Sequence, residues 1–217
     1  MKKLVSFCLW GKNTFYTDGA IWNAQHVKDF YPDWSCRFYH DSSVSKKVLK
    51  ELEKAGSELV LKNKTTEGLG MFWRFEPMFD DPEVSRFIVR DTDSKFCNRE
   101  VDLVNQWIAT TKPFHIVRDC ESHGTSILGG TWGAVPGCID NFELKISSFI
   151  SQVIPDTKNP RGPFHGADQI FLHHYIWPLI KDNHCAHIRA GCKNLRYTEQ
   201  DIEIPDPEDG HYVGMVA

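Results

Sequence analysis

The amino-terminal stretch has no apolar run long enough to cross a membrane. Leu4 to Trp10 follows Lys2 and Lys3 but stops at Gly11-Lys12-Asn13, short of an export core or a spanning helix. There is no Cys-x-x-Cys step, and the seven cysteines, at 8, 36, 97, 120, 138, 185 and 192, are odd in number. That pattern describes packed thiols rather than a disulfide framework, and a reducing, cytoplasmic setting is expected. Positive charge is not in excess: 25 Lys and Arg against 29 Asp and Glu give a net charge of -4. Broad electrostatic binding to nucleic acid or to an anionic membrane is therefore not expected. Solenoid-length repeats and low-complexity tracts are absent as well.

What remains is an ordinary globular composition, 41% hydrophobic and 25% charged over 217 residues. It fits one domain spanning residues 1-217, with a surface arm at about 204-217. Residues 4-10 read as a buried strand, followed by a Gly11 to Gly19 loop carrying Phe15, Tyr16 and Asp18. Ala20, Ile21, Ala24, Val27 and Tyr31 then recur at helical spacing up to Pro32. A strand at 35-40, a helix capped by Ser45 and stopped by Gly56, and a strand at 58-61 follow. This alternation predicts an α/β fold: a mostly parallel central sheet flanked by helices.

The chain is organised around Phe87-Ile88-Val89-Arg90-Asp91-Thr92-Asp93-Ser94, an apolar strand ending in acid. On an extended backbone residues i and i+2 share a side, so Asp91 and Asp93 present two carboxylates together. Hard oxygen donors in such a pair suit Mn2+ or Mg2+. An acidic turn explains the same residues, because Asp favours turns for its own backbone bonding. Just upstream, Arg74 and Glu76 stand in the aromatic run Gly70 to Phe79. There the guanidinium either forms an edge ion pair or reaches the acidic strand end, to hold phosphate or the acids themselves. A second strand, Phe114 to Asp119, also ends in Val-Arg-Asp, so parallel pairing would bring both acidic ends to the edge where open α/β sheets bind ligands. Two structural ion pairs would read alike. Gly129-Gly130-Thr131-Trp132 describes a close backbone approach to a ligand or a β-bulge. Residues 155-163 read as a Pro/Gly flap, and Gly166-Ala167-Asp168-Gln169 opens a helix in which Asp168 is alternatively just a first-turn acid.

Met71-Phe72-Trp73-Arg74-Phe75, Val89 to Ser94, Gly129 to Gly133 and Ala167-Asp168-Gln169, in that order, resemble the small GT-A glycosyltransferases of bacteria and large DNA viruses, chlorella-virus enzymes among them. The resemblance spans most of residues 4 to 190. It implies a Rossmann-like GT-A domain that transfers sugar from a nucleotide-sugar, a UDP-sugar favoured, to a glycan or another hydroxyl acceptor. It further implies a metal site of Asp91, Asp93 and a histidine near the C-terminal end, matched in position by His187 with His184 as rival. The loop from Trp10 past Tyr16, with Arg74, Arg90, Asp91, Gly129, Gly130 and Trp132, then belongs to the nucleotide-sugar, and His123 to the acceptor. Asp168 and Gln169 match the Asp-Gln step of retaining members, although Ile170 stands where a second Asp is usual. An inverting enzyme would need a carboxylate base, for which Asp119 is the candidate.

A haloacid dehalogenase-type phosphatase also uses Asp-x-Asp after an apolar strand, but after the first strand and with a later acidic motif. An EF-hand loop beginning at Asp91 fails at Lys95 and Phe96. A sugar-nucleotide-binding module without turnover is the non-enzymatic alternative.

Overall fold

The computed structural model describes residues 1-63, 68-122, 124-190 and 196-216. Its eight strands are β1 (Lys2–Leu9), β2 (Trp34–His40), β3 (Glu58–Leu61), β4 (Val84–Arg90), β5 (Phe114–Arg118), β6 (Thr131–Ala134), β7 (Cys185–Arg189) and β8 (Ile202–Ile204). They form one sheet in the order β3-β2-β1-β4-β6-β5-β7-β8. All neighbouring pairs are parallel except those made by β6, which runs antiparallel between β4 and β5. The helices are α1 (Thr14–Phe30), α2 (Lys46–Lys54), α3 (Asn98–Ile108), α4 (Phe142–Gln152), α5 (Ala167–Phe171) and α6 (Trp177–Ile180). A 3₁₀ segment, Leu69–Met78, precedes β4, and a π turn, Leu172–Ile176, joins α5 to α6. The result is a single-domain α/β fold, as the strand and helix alternation predicts.

Two details differ from the sequence reading. Phe15 and Tyr16 lie in the first turn of α1, because Asn13 caps that helix by accepting from the Phe15 N–H, and no loop runs on to Gly19. The antiparallel β6 is unforeseen, since its four residues are flanked by glycines and carry little strand pattern of their own.

Alternation along the strands divides the core. On β1, Val5, Phe7 and Leu9 face α1, α2 and α3, while Leu4 and Cys8 pack on the opposite side against the 3₁₀ segment. Ser6, on that second side, donates its hydroxyl to the Arg74 carbonyl at 2.7 Å. Small residues there let the 3₁₀ backbone lie close to the sheet. Trp132 is fully buried, stacked on Phe114 at 5.0 Å between centroids and edge-on to Phe75 and Phe87. It is a core residue and does not face a ligand, because position 132 points to the same side as Ala134, into the packed layer.

The tail is fastened at several points. β8 pairs with β7, Val213 is fully buried against Leu103, Val117 and Ile204, and Val216 bridges Ser94. No helix among the described residues is long and apolar enough to cross a membrane.

His187 is fully buried on β7, where it shares hydrogen bonds with His115 (3.0 Å) and Gln106 (3.2 Å). Burial lowers its pKa from 6.5 to about 4, so the neutral ring belongs to the folded state. The stability it supplies is complete above its unfolded pKa and drains away as pH falls towards the folded value. Denaturant unfolding at pH 7 and pH 4 is expected to show a loss of about 3 kcal/mol from this group. His187→Gln should shrink the acid-induced loss by that amount; an identical pH dependence in the variant would contradict this assignment.

Candidate functional site

The site lies at the carboxyl edge of the sheet, built from the ends of β1 and β4, the approach to β6 and the start of α5. Arg74 is at its centre. The 3₁₀ segment turns this side chain inward, where it is 5% exposed. One guanidinium nitrogen donates to the Asp91 carboxylate and the other to Asp168 Oδ2 at 2.7 Å. Burial opposes the charge, yet the two carboxylates outweigh it and hold Arg74 protonated, its pKa raised. Of the roles open to Arg74, the structure realises the one that grips the acids. Asp168 is itself buried, and its Oδ1 accepts from the Gln169 N–H at 2.9 Å.

The glycine pair fits this arrangement for a measurable reason. A Cβ on Gly129 would stand 2.1 Å from Asp168 Oδ2, and one on Gly130 2.0 Å from Asp91 Oδ2. Only a bare backbone lets the two carboxylates lie against it, so the Gly-Gly step is part of the acid constellation rather than a bulge.

Asp91 and Asp93 do sit together. Asp93 is partly buried, and its pKa is raised, first by desolvation and then by the Asp91 charge. Tyr16, on the first turn of α1, has its pKa raised by partial burial and by the charges of Asp93 and Asp91. Among the described residues no cation is ion-paired to Asp93, whereas Asp91 and Asp168 share Arg74. Arg74 is thus shared by Asp91 and Asp168, and Asp93, beside Asp91, is left among the described residues without an ion-pair partner of its own. The loop carrying them is held from behind by Asn23, whose Nδ2 donates to the Thr92 carbonyl at 3.4 Å and the Ser94 carbonyl at 3.0 Å. Cys8 lines the same region, its thiol pushed up to about 12 by burial. Trp10 packs edge-on to Trp73 beside Gly70, bordering the 3₁₀ segment.

Several expected residues are placed elsewhere. Arg90, on the opposite side of β4, is buried and donates to Glu100 at 2.5 Å, where Tyr31 also donates. It anchors α3 and does not reach a ligand. Asp119 is fully buried, with Arg99 donating to both of its oxygens at 2.6 and 2.7 Å. That leaves no free oxygen for an acceptor hydroxyl, so it is not a general base. His187 spends both ring nitrogens in the core, and His184 bonds Asp201 at 3.1 Å and the Ile180 carbonyl at 3.3 Å. Among the described residues no three His, Cys, Asp or Glu side chains cluster closely enough to hold a metal, so neither histidine completes the acidic pair. His123 lies outside the described residues.

One residue was passed over in the sequence. His211 is exposed, lies 3.3 Å from Asp209, and stands two residues before Val213, whose N–H is bound to Asp119 at this edge. Two residues span at most about 7 Å, so His211 stays near the strand ends. A histidine between Gly210 and Gly214, in a tail read as a plain arm, was the available signal.

No protein-family model matches the chain, and no curated protein matches it. Solved structures do. A glycosyltransferase involved in the glycosylation of the major capsid of PBCV-1 superposes with TM-score 0.52 at 13% identity, over 87% of this chain and 82% of its own. 4-Diphosphocytidyl-2C-methyl-D-erythritol synthase from Anaerococcus prevotii gives TM-score 0.52 at 9% identity, over 99% and 91%. Glucosyl-3-phosphoglycerate synthase from Mycobacterium tuberculosis, in complex with phosphoglyceric acid, gives 0.51 at 8% identity, over 94% and 70%. The likeness is one of fold, a GT-A-like α/β sheet.

Replacing Arg74 by Met leaves the buried Asp168 without its partner and the half-exposed Asp91 unpaired. Urea unfolding should show a loss of about 3 to 5 kcal/mol. A loss below about 1 kcal/mol, the value of an exposed pair, would contradict the buried bridge.

Proposed function

We propose that the chain is a metal-dependent glycosyltransferase that moves a sugar from a nucleoside diphosphate donor, a UDP-sugar favoured, to a glycan or other hydroxyl acceptor. The observation that carries this reading is the carboxyl-edge constellation: Asp93, without an ion-pair partner among the described residues, beside Asp91, with Asp91 and Asp168 both held by Arg74. Similarity in fold to glycosyltransferases supports it.

In this reading Asp91 and Asp93 hold Mn2+ or Mg2+, which supplies positive charge to the departing diphosphate. Tyr16, on the first turn of α1, borders the acidic pair on the nucleotide side, with Trp10 at the end of β1. The bare backbone of Gly129 and Gly130 lets the sugar approach Asp168 and Gln169. Asp168 has one oxygen on Arg74 and the other on the Gln169 N–H, so it orients rather than ranges freely. Retention is favoured over inversion, because Asp119, the base named for inversion, is sealed by Arg99. In this reading the histidine role would fall to His211, which does not cluster with the acidic pair in the structure and would have to close on it when the cation binds.

The phosphatase alternative requires a free nucleophile in the motif's first acid, whereas Asp91 is bound to Arg74. A non-catalytic binding module is separated by turnover, and a nucleotidyl transfer, given the similar fold of the Anaerococcus synthase, by pyrophosphate release from a nucleoside triphosphate.

UDP with Mn2+ is expected to raise the melting temperature of the wild type, much less that of Asp93→Ala, and less that of His211→Ala. His187→Gln should lower the starting melting temperature while keeping the ligand shift. Equal shifts in wild type and Asp93→Ala would remove the metal role, and a normal shift in His211→Ala would remove that histidine from it. Asp168→Asn should reduce turnover roughly 10²-fold while leaving nucleotide affinity near its wild-type value. Unchanged turnover would make Asp168 no more than a first-turn acid.

A further inference from the structure

The same carboxylate that is lost as a base holds the C-terminal tail. Asp119 stands at the end of β5, and Arg99, in the first turn of α3, donates to both of its oxygens. The Arg99 nitrogen on Asp119 Oδ1 donates as well to the Pro205 carbonyl at 2.6 Å. Asp119 Oδ2 in turn accepts from the Val213 N–H at 3.0 Å. One ion pair therefore fastens the segment that follows β8 at both of its ends.

Beyond Val213 the chain runs onto the acidic loop. Gly214 adopts φ +82, and a Cβ there would stand 2.8 Å from Thr131 Cγ2, so the tail lies flat on the residue after Gly130. Val216 then forms an antiparallel bridge with Ser94. Ser94 closes the acidic turn, its hydroxyl donating to the Asp91 carbonyl at 3.1 Å. The Asp91-to-Ser94 turn is thus held between Asn23 of α1 on one side and the tail on the other.

We propose that the Arg99–Asp119 ion pair is a positioning clamp that draws residues 205-216 across the carboxyl edge and orders the Asp91–Asp93 turn. The proposal rests on the metal-binding reading above. Arg99 and Asp119 touch neither cation nor nucleotide; they act through the strap. A purely structural ion pair would alter stability and leave the affinity of the folded protein unchanged, whereas a clamp sets that affinity. Two variants detach the strap at different points. Arg99→Gln loses the charged fork that holds Asp119 and Pro205 together. Gly214→Val leaves the ion pair intact and lifts the strap off Thr131, through both its φ and its added bulk.

The test uses the full chain, well below its melting temperature. Mn2+ binding in the presence of UDP is measured by calorimetry, and amide exchange is followed over residues 91-97. Arg99→Gln and Gly214→Val are both expected to weaken Mn2+ binding at least tenfold and to speed exchange over 91-97. His211→Ala should weaken binding with exchange unchanged, which separates loss of a ligand from loss of the strap. Wild-type affinity and exchange in both strap variants would overturn the clamp while leaving the metal site standing. Faster exchange with undiminished affinity would overturn it too, reducing the pair to a structural one. A wild type that binds no Mn2+ with UDP overturns the functional reading, and the clamp with it.

Discussion

The buried bridge from Arg74 to Asp91 and Asp168 is the interaction on which the site depends. It joins groups from three places in the chain: the 3₁₀ segment, the end of β4 and the start of α5. Isolated, Asp168 would be costly to bury, and the guanidinium more so; together they neutralise one another, with the half-exposed Asp91 on the solvent side of the bridge. The surroundings follow from accommodating that bridge. Ser6 and Cys8 are small enough to let the 3₁₀ segment down onto β1, and Ser6 fixes the Arg74 carbonyl. Gly129 and Gly130 give the carboxylates a surface without side chains. Asp93 is left over, partly buried beside a like charge and without an ion-pair partner among the described residues, and the proposed cation would relieve that imbalance.

The fold was legible because its signals are local and periodic. Ser45 caps α2 as read, through the Val48 N–H, and Gly56 follows the end of that helix. The β4 and β5 strands emerge at one edge because they are parallel to one another with β6 between them. What periodicity could not show was β6 itself, four residues whose strand character comes from two neighbours far away in sequence. Nor could it give Trp132 its place, since an aromatic after paired glycines reads equally as a ligand platform or as the core residue it is.

Val-Arg-Asp occurs twice, and the two copies show where sequence reading reaches its limit. Both arginines are taken up in buried ion pairs, Arg90 with Glu100 and Arg118 with Asp201. The aspartates that follow differ only in what faces them. Asp91 meets Arg74 and keeps an exposed side; Asp119 meets Arg99 and the tail, and keeps none. Nothing in three residues encodes that difference, because the partners lie 17 and 20 positions away along the chain. The histidines repeat the lesson: His187 and His184 look like ligands by position and are consumed in the core, while His211 stays open in a tail whose anchors are tertiary.

The central claim is that this edge moves sugar from a nucleoside diphosphate under metal control. Its most direct test is to incubate the chain with a panel of nucleotide-sugars and Mn2+ and follow slow donor hydrolysis by NMR. The account predicts metal-dependent release of the nucleoside diphosphate from at least one donor. The sugar should first appear as the anomer it had in the donor, and Asp93→Ala should be inert. Absence of release from every donor, or release that is equal in Asp93→Ala or without metal, would contradict it.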